Sequence, residues 1–134
     1  MPGRNVYTVL TETAERCGDA AALHQPIGTK TEPAYRRYSW NEWATISANV
    51  GLGLRALGLV KGEIVAILSE TRAEFFLTDL GIMAAGGVAA ALYTAYPMAD
   101  LVRSIKSSNP RFLFVEDAKT LSNLSKAADL QGVH

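Results

Sequence analysis

Apolar residues recur every three or four positions in five stretches of this chain and run almost unbroken in three shorter ones. The helical spacing is read over Val6, Val9, Leu10, Thr13, Ala14 and Cys17, ending near Gly18. It returns after Ser39-Trp40-Asn41-Glu42, a capping-box signature that predicts a helix to about Leu57 with Ile46, Val50, Gly53, Leu54 and Leu57 inward. Thr71-Arg72-Ala73-Glu74 repeats the signature before a helix from about Ala73 to Ala85. That helix carries Phe76, Leu80, Met83 and Ala84 on one side, widened by Phe75 and Ile82, and Gly86-Gly87 ends it. A further helix starts near Pro97, buries Met98, Leu101, Val102 and Ile105, and stops at Asn109-Pro110. A weaker one covers Ala118 to Ala128 with Leu121 and Leu124 inward.

Between these helices lie Ile64–Leu68, Val88–Leu92 and Phe112–Val115, continuous apolar runs of the kind that form strands buried on both faces. Strand and helix alternate from Ile64 onward, which predicts a parallel sheet with right-handed crossovers. Upstream, Ala20 to His24 and Tyr35 to Trp40 flank a Pro- and Gly-bearing loop and predict a small hairpin. The expected fold class is therefore α/β: a parallel βαβαβα unit preceded by a helix, a hairpin and a long helix. The last helix has no closing strand after it, so the unit is expected to be part of a larger domain.

The stretch Leu80 to Ala99 is twenty residues without a charge, long enough for a membrane span. Gly86-Gly87 interrupts it, and Tyr93, Thr94, Tyr96 and Pro97 close it, which predicts a helix end, a turn and a strand. The 13 basic and 13 acidic residues balance. A neutral chain lacks the positive field that nucleic acid or an anionic membrane requires, so neither is an expected partner. Arg36-Arg37 between Tyr35 and Tyr38 reads as a solvated strand face. One cysteine, Cys17, makes no internal disulfide and reads as a small core residue. With His24 and His134 far apart, no zinc site is expected. The amino terminus has no continuous apolar segment or small-residue cleavage site, and a cytoplasmic location is expected.

Motifs that carry chemistry are sparse. The P-loop pattern and the G-x-S-x-G elbow do not occur, and Gly51, Gly53 and Gly58 have the wrong spacing for a dinucleotide loop. These glycines read as close helix packing and a helix stop. Ser69 lacks flanking glycines and reads as a strand-end polar residue. Glu70 and Glu74 suit the positive end of a helix, and Asp79 follows them. Glu116-Asp117 lies at a strand end, the edge where parallel sheets bind ligands. Trp40 and Trp43 read as packing residues.

The segments YSWNEWATISANVGLGLRALGLVKGEIVAIL and ETRAEFFLTDLGIMAAGGVAAALYTAYPMADLVRSIKSSNPRFLFVED resemble the N-terminal part of the AMP-forming acyl-CoA synthetases. The matching pieces keep their order from about Tyr35 to Asp117. They include L-G-hydrophobic-x-x-G-[DE]-x-V-A-[IL], a helix ending in A-G-[AG], and a strand ending in hydrophobic-V-E-[DE]. LYTAYP is most similar to the long-chain fatty acid ligases. The resemblance implies activation of a fatty or other carboxylic acid by ATP and Mg²⁺ to an acyl-adenylate, then transfer to coenzyme A. It also implies that residues 1–134 are the N-terminal portion of a ligase's large domain. The family's Ser/Thr/Gly-rich phosphate loop, later nucleotide motifs and lid lysine are not found in these residues. No catalytic residue, metal ligand or cofactor contact carries over, and the chain alone is expected to be inactive and to hold no cofactor. Its expected partners are the rest of the ligase chain and a possible second copy, with the parent open to peripheral membrane association. Tyr93, Thr94, Ala95 and Tyr96, after a strand's carboxyl end, are the candidates for a substrate-facing turn. Ala95 stands where some relatives place a basic residue on the coenzyme A side. The rival reading is a non-enzymatic α/β interaction or dimerisation module.

Overall fold

A computed structural model describes residues 3–134. Helix α1 (Val6–Cys17) leads into the antiparallel hairpin β1 (Ala21–Pro26) and β2 (Tyr35–Ser39), then helix α2 (Trp40–Ala56). Strands β3 (Ile64–Leu68), β4 (Val88–Leu92) and β5 (Phe112–Val115) alternate with helices α3 (Ala73–Ala84), α4 (Met98–Ser108) and α5 (Ala118–Ala127). The three strands are parallel in the order β4-β3-β5, with Ile67 opposite both Ala91 and Phe114. The α/β class and the βαβαβα order follow the sequence reading.

Each face of the sheet has its own core. Val65, Ile67 and Phe112 meet Leu54, Leu59, Ile82 and Ala85, so α2 and α3 cover one face. Leu68 meets Leu101, Ile105 and Leu124, so α4 and α5 cover the other. The step from β3 to β4 passes over α3; the step from β4 to β5 runs back across the sheet over α4 on the opposite face. Reversing both direction and face keeps the two crossovers of one hand.

Position in the sheet corrects one expectation. Only β3 is buried on both faces; β4 is an edge strand, and its Val88 is 51% exposed. The inward stripe of α2 is also rotated from the predicted one. Ser47, Gly51 and Leu54 are buried, whereas Gly53 and Leu57 face solvent. The reason is the close approach of α3. A Cβ on Gly51 would stand 3.0 Å from the Ala84 Cβ and the Gly81 O, and one on Gly81 would stand 2.6 Å from the Val50 Cβ. Ser47 is held in this seam by donating its hydroxyl to Leu77 O at 3.0 Å. Leu121 is likewise exposed, and Leu124 alone is buried on α5. On α4 the expected stripe holds at Leu101 and Ile105, which are buried, whereas Met98 at its start is exposed.

Helix ends follow the glycine signals. After α2, the N–H of Leu59 bonds Leu54 O and that of Gly58 bonds Arg55 O; after α3, Gly87 bonds Ile82 O and Gly86 bonds Met83 O. Both are paired C-terminal caps that need a left-handed residue, and Gly58 (φ 96°) and Gly86 (φ 83°) supply it. Beyond α5, Leu130 packs on the second core and His134 exchanges backbone bonds with Arg111 O and Leu113 N–H. That is one parallel rung along the outer edge of β5. Among the described residues, no helix is long and apolar enough to cross a membrane.

Candidate functional site

In a parallel sheet the turns that leave the carboxyl ends of the strands converge on one edge, where ligands collect. Here that edge holds Ser69 and Glu70 after β3, Tyr93 to Pro97 after β4, and Glu116 and Asp117 after β5. Side chains tie the three ends together. The Thr94 hydroxyl donates to a Glu70 carboxylate oxygen. The Glu70 backbone N–H donates to Glu116 Oε2 at 2.8 Å. Arg72 donates to Glu116 Oε1 at 3.2 Å and to Glu74 Oε2 at 2.8 Å.

The sequence-predicted turn is therefore split in its roles. Thr94 is occupied by Glu70, whereas Tyr93 and Tyr96 stand out from the edge, 63% and 49% exposed. Their rings meet edge to face at 5.2 Å, and the Tyr96 N–H bonds Tyr93 O at 3.2 Å across the turn. Ala95 is exposed between them. A cavity of about 380 Å³ opens beside the turn, with Leu68, Met98 and Leu101 as its apolar floor and Glu70, Thr94, Tyr96, Glu116, Asp117 and Asn123 on its rim. A second, of about 250 Å³, lies on the α3 side between Ile67, Phe75 and Phe114, with Arg72 and Ser69 at its mouth.

The electrostatics of the edge are acidic. Arg72, the one basic residue lining either cavity among the described residues, is already shared by two carboxylates. The Arg72 hydrogen bond holds the Glu74 carboxyl below its usual range, and Glu74 in turn raises the Arg72 guanidinium. Asp117 caps α5 by accepting the Thr120 N–H at 2.7 Å, and that bond depresses its carboxyl. Asp79, half-buried on α3, is pushed up by burial. Four carboxylates around one paired guanidinium repel phosphate rather than bind it. Nor do the described residues bring three or more His, Cys, Asp or Glu side chains together as a metal site. The residues present do not fit ATP phosphates with Mg²⁺.

Sequence reasoning read Glu70 and Glu74 as helix-start acids, and the structure separates them. The expected Thr71–Glu74 capping box does not form. The helix begins at Ala73 as expected, but with Arg72 rather than Thr71 at the cap position and making no side-chain cap bond, and Arg72 takes Glu74. The first helical N–H, from Ala73, is accepted instead by Gln25 Oε1 at 2.7 Å. Gln25 and Arg72 were both missed. A lone cation among acids at a strand end could have pointed to Arg72, whereas nothing local could have pointed to Gln25. Away from the edge, Trp40 and Trp43 stack at 5.4 Å and Trp43 meets Phe76 edge on, as packing residues do. Cys17 is half-buried on α1.

Residues 10–134 match the family model described as AMP-binding enzyme. The chain is 30% identical over 89 residues to the long-chain-fatty-acid–CoA ligase ACSBG1 of Rattus norvegicus, a match covering 66% of this chain and 12% of that one. It is 27% identical over 104 residues to an uncharacterized protein of Mycobacterium tuberculosis, covering 78% of this chain and 56% of that one. The chain thus spans well under two thirds of either relative. Among solved structures, the anthranilate CoA ligase AuaEII in complex with anthranoyl-AMP superposes with a TM-score of 0.80 at 20% identity, over 98% of this chain and 25% of that one. At that identity the likeness concerns the fold.

Proposed function

The chain belongs to the AMP-binding enzyme family, and from that premise we propose that residues 1–134 are the N-terminal portion of the large domain of an AMP-forming acid–thiol ligase. The whole enzyme would join a carboxylic acid, a fatty acid in the first instance, to ATP with loss of pyrophosphate and pass the acyl group to coenzyme A. Mg²⁺ would balance the phosphate charge in that reaction. The ordered match over residues 10–134 carries this reading. The fatty-acid preference is supported by the likeness to a long-chain-fatty-acid–CoA ligase. A cytoplasmic setting, with the parent free to associate peripherally with membranes, accompanies it.

The 134-residue chain supplies part of the scaffold and none of the chemistry. Its sheet edge is acidic, its one local guanidinium is paired, and donors for a pentacoordinate phosphorus must come from other residues. The test is acid-dependent ATP–pyrophosphate exchange, measured on the 134-residue chain and on the product of its full reading frame. Exchange is expected from a longer product that carries a Ser/Thr/Gly-rich loop with a following lysine, and not from the 134 residues alone. Exchange by the short chain would overturn its assignment as an inactive portion. A second reading, a stand-alone interaction or dimerisation module, is favoured by the mycobacterial relative, of which this match already covers 56%. A stop codon directly after His134, with a dimer in sedimentation equilibrium, would select it.

A further inference from the structure

The geometry points to Glu70 as a positioning residue that sets the Tyr93–Tyr96 turn against substrate, acting through Thr94. The inference rests on the ligase reading for the identity of the substrate, but not for the positioning itself. Tyr93 and Tyr96 are both solvent-facing in the turn that follows an edge strand. An exposed turn on an edge strand has no neighbouring strand on one side to hold it. Beyond its own Tyr96–Tyr93 backbone bond, it is tied to the rest of the edge by the Thr94 hydroxyl bond to Glu70, which follows the central strand β3. Glu70 is itself fixed from the far side, because Glu116 at the end of β5 accepts its backbone N–H and is held by Arg72. The bonds thus run Arg72, Glu116, Glu70, Thr94, and cross all three strand ends before they reach the tyrosines.

The same layer states what the turn can meet. Glu70, Glu116 and Asp117 rim the cavity beside Tyr96, whose floor is Leu68, Met98 and Leu101. A carboxylate or phosphate is repelled there. An uncharged stretch of substrate, an acyl chain or the amide-bearing arm of a thiol carrier, lies against tyrosine and methionine without that cost. Glu70 acts on the tyrosines by holding Thr94.

Hydrogen exchange on the 134-residue chain tests the positioning half without any need for activity. Glu70→Ala and Thr94→Val are each expected to speed exchange of the Tyr96 amide roughly twofold to tenfold, the worth of one hydrogen bond. Amides of β3 serve as the control for global stability. Glu70→Gln and Thr94→Ser, which keep an acceptor and a hydroxyl, are expected to restore the slow rate. An unchanged Tyr96 rate in Glu70→Ala overturns the inference whatever the enzyme does. In the full-length ligase, Glu70→Ala is expected to raise KM for the acid or for coenzyme A more than it lowers kcat, with Glu70→Gln recovering KM. A loosened turn with both KM values unmoved overturns the substrate contact while leaving the ligase reading, which pyrophosphate exchange tests separately.

Discussion

Helices α2 and α3 lie side by side, and each is preceded by a hydroxyl residue with glutamate three positions on, yet they start in different ways. At α2 the two side chains close on each other's backbone: Ser39 Oγ accepts the Glu42 N–H at 3.1 Å and Glu42 Oε2 accepts the Ser39 N–H at 2.7 Å. At α3 the glutamate is taken by Arg72, and the acceptor for the first N–H arrives from a hairpin 48 residues earlier. A capping box needs its glutamate free to turn back. Arg72 sits between a strand end rich in carboxylates and the helix, and a guanidinium bonds a carboxylate more strongly than a neutral N–H does. The difference matters for the site. At α2 the box is local and the Trp40 and Asn41 N–H groups are taken by Ala20 O and Gly18 O of the turn before β1, whereas the α3 start joins the hairpin, the β3 turn and the acidic edge.

The largest expected effect comes from forcing the two helices apart. Gly81→Val places a branched side chain where even a Cβ would meet Val50 at 2.6 Å and Ser47 O at 3.0 Å. A loss of about 3 kcal/mol is expected by urea denaturation. A loss below 1 kcal/mol would mean that the seam is looser than drawn. Ser39→Ala comes next, at about 1 kcal/mol, because the hydroxyl is buried and accepts the Glu42 N–H at the start of α2. Thr71→Ala, the equivalent change at α3, is expected to stay within about 0.5 kcal/mol, since Thr71 caps nothing. Equal losses at Ser39 and Thr71 would erase the contrast between the two starts.

Gln25→Ala removes the acceptor supplied from the hairpin. It is expected to cost about 1 kcal/mol and to speed exchange of the Ala73 amide, leaving the first turn of α2 protected. The smallest effect concerns Asp79. Burial raises its carboxyl in the folded state, so the folded chain holds that proton to higher pH than the unfolded chain does. Its ionisation therefore costs stability as pH rises from the unfolded value near 3.8 through the folded one. Asp79→Asn is expected to stabilise at pH 7 by on the order of 0.5 kcal/mol, after allowance for its partial exposure, with no gain at the acid end. Glu74 has the opposite sign: its carboxyl is depressed by Arg72, so its contribution is present at neutral pH and lost as pH falls through its folded value. A thermal melt series of Asp79→Asn across pH separates the two, because only the Asp79 contribution disappears.

Strand β3 shows how much was legible. Its five apolar residues IVAIL predict a strand buried on both faces, and that is what it is. VAAAL reads the same way and becomes an exposed edge. A strand's own residues fix its period and its apolar character, but the number of neighbours beside it depends on the order in which distant segments join the sheet. Glycine stops and the Ser39 box were legible because their partners lie within a few residues, where the chain has little freedom to choose others. The candidate turn at Tyr93 to Tyr96 was legible as a strand-end position. The bond that occupies Thr94, the pairing of Arg72 and the cap from Gln25 were decided only by tertiary structure, since each joins groups that sequence separation leaves independent until the sheet and hairpin have formed.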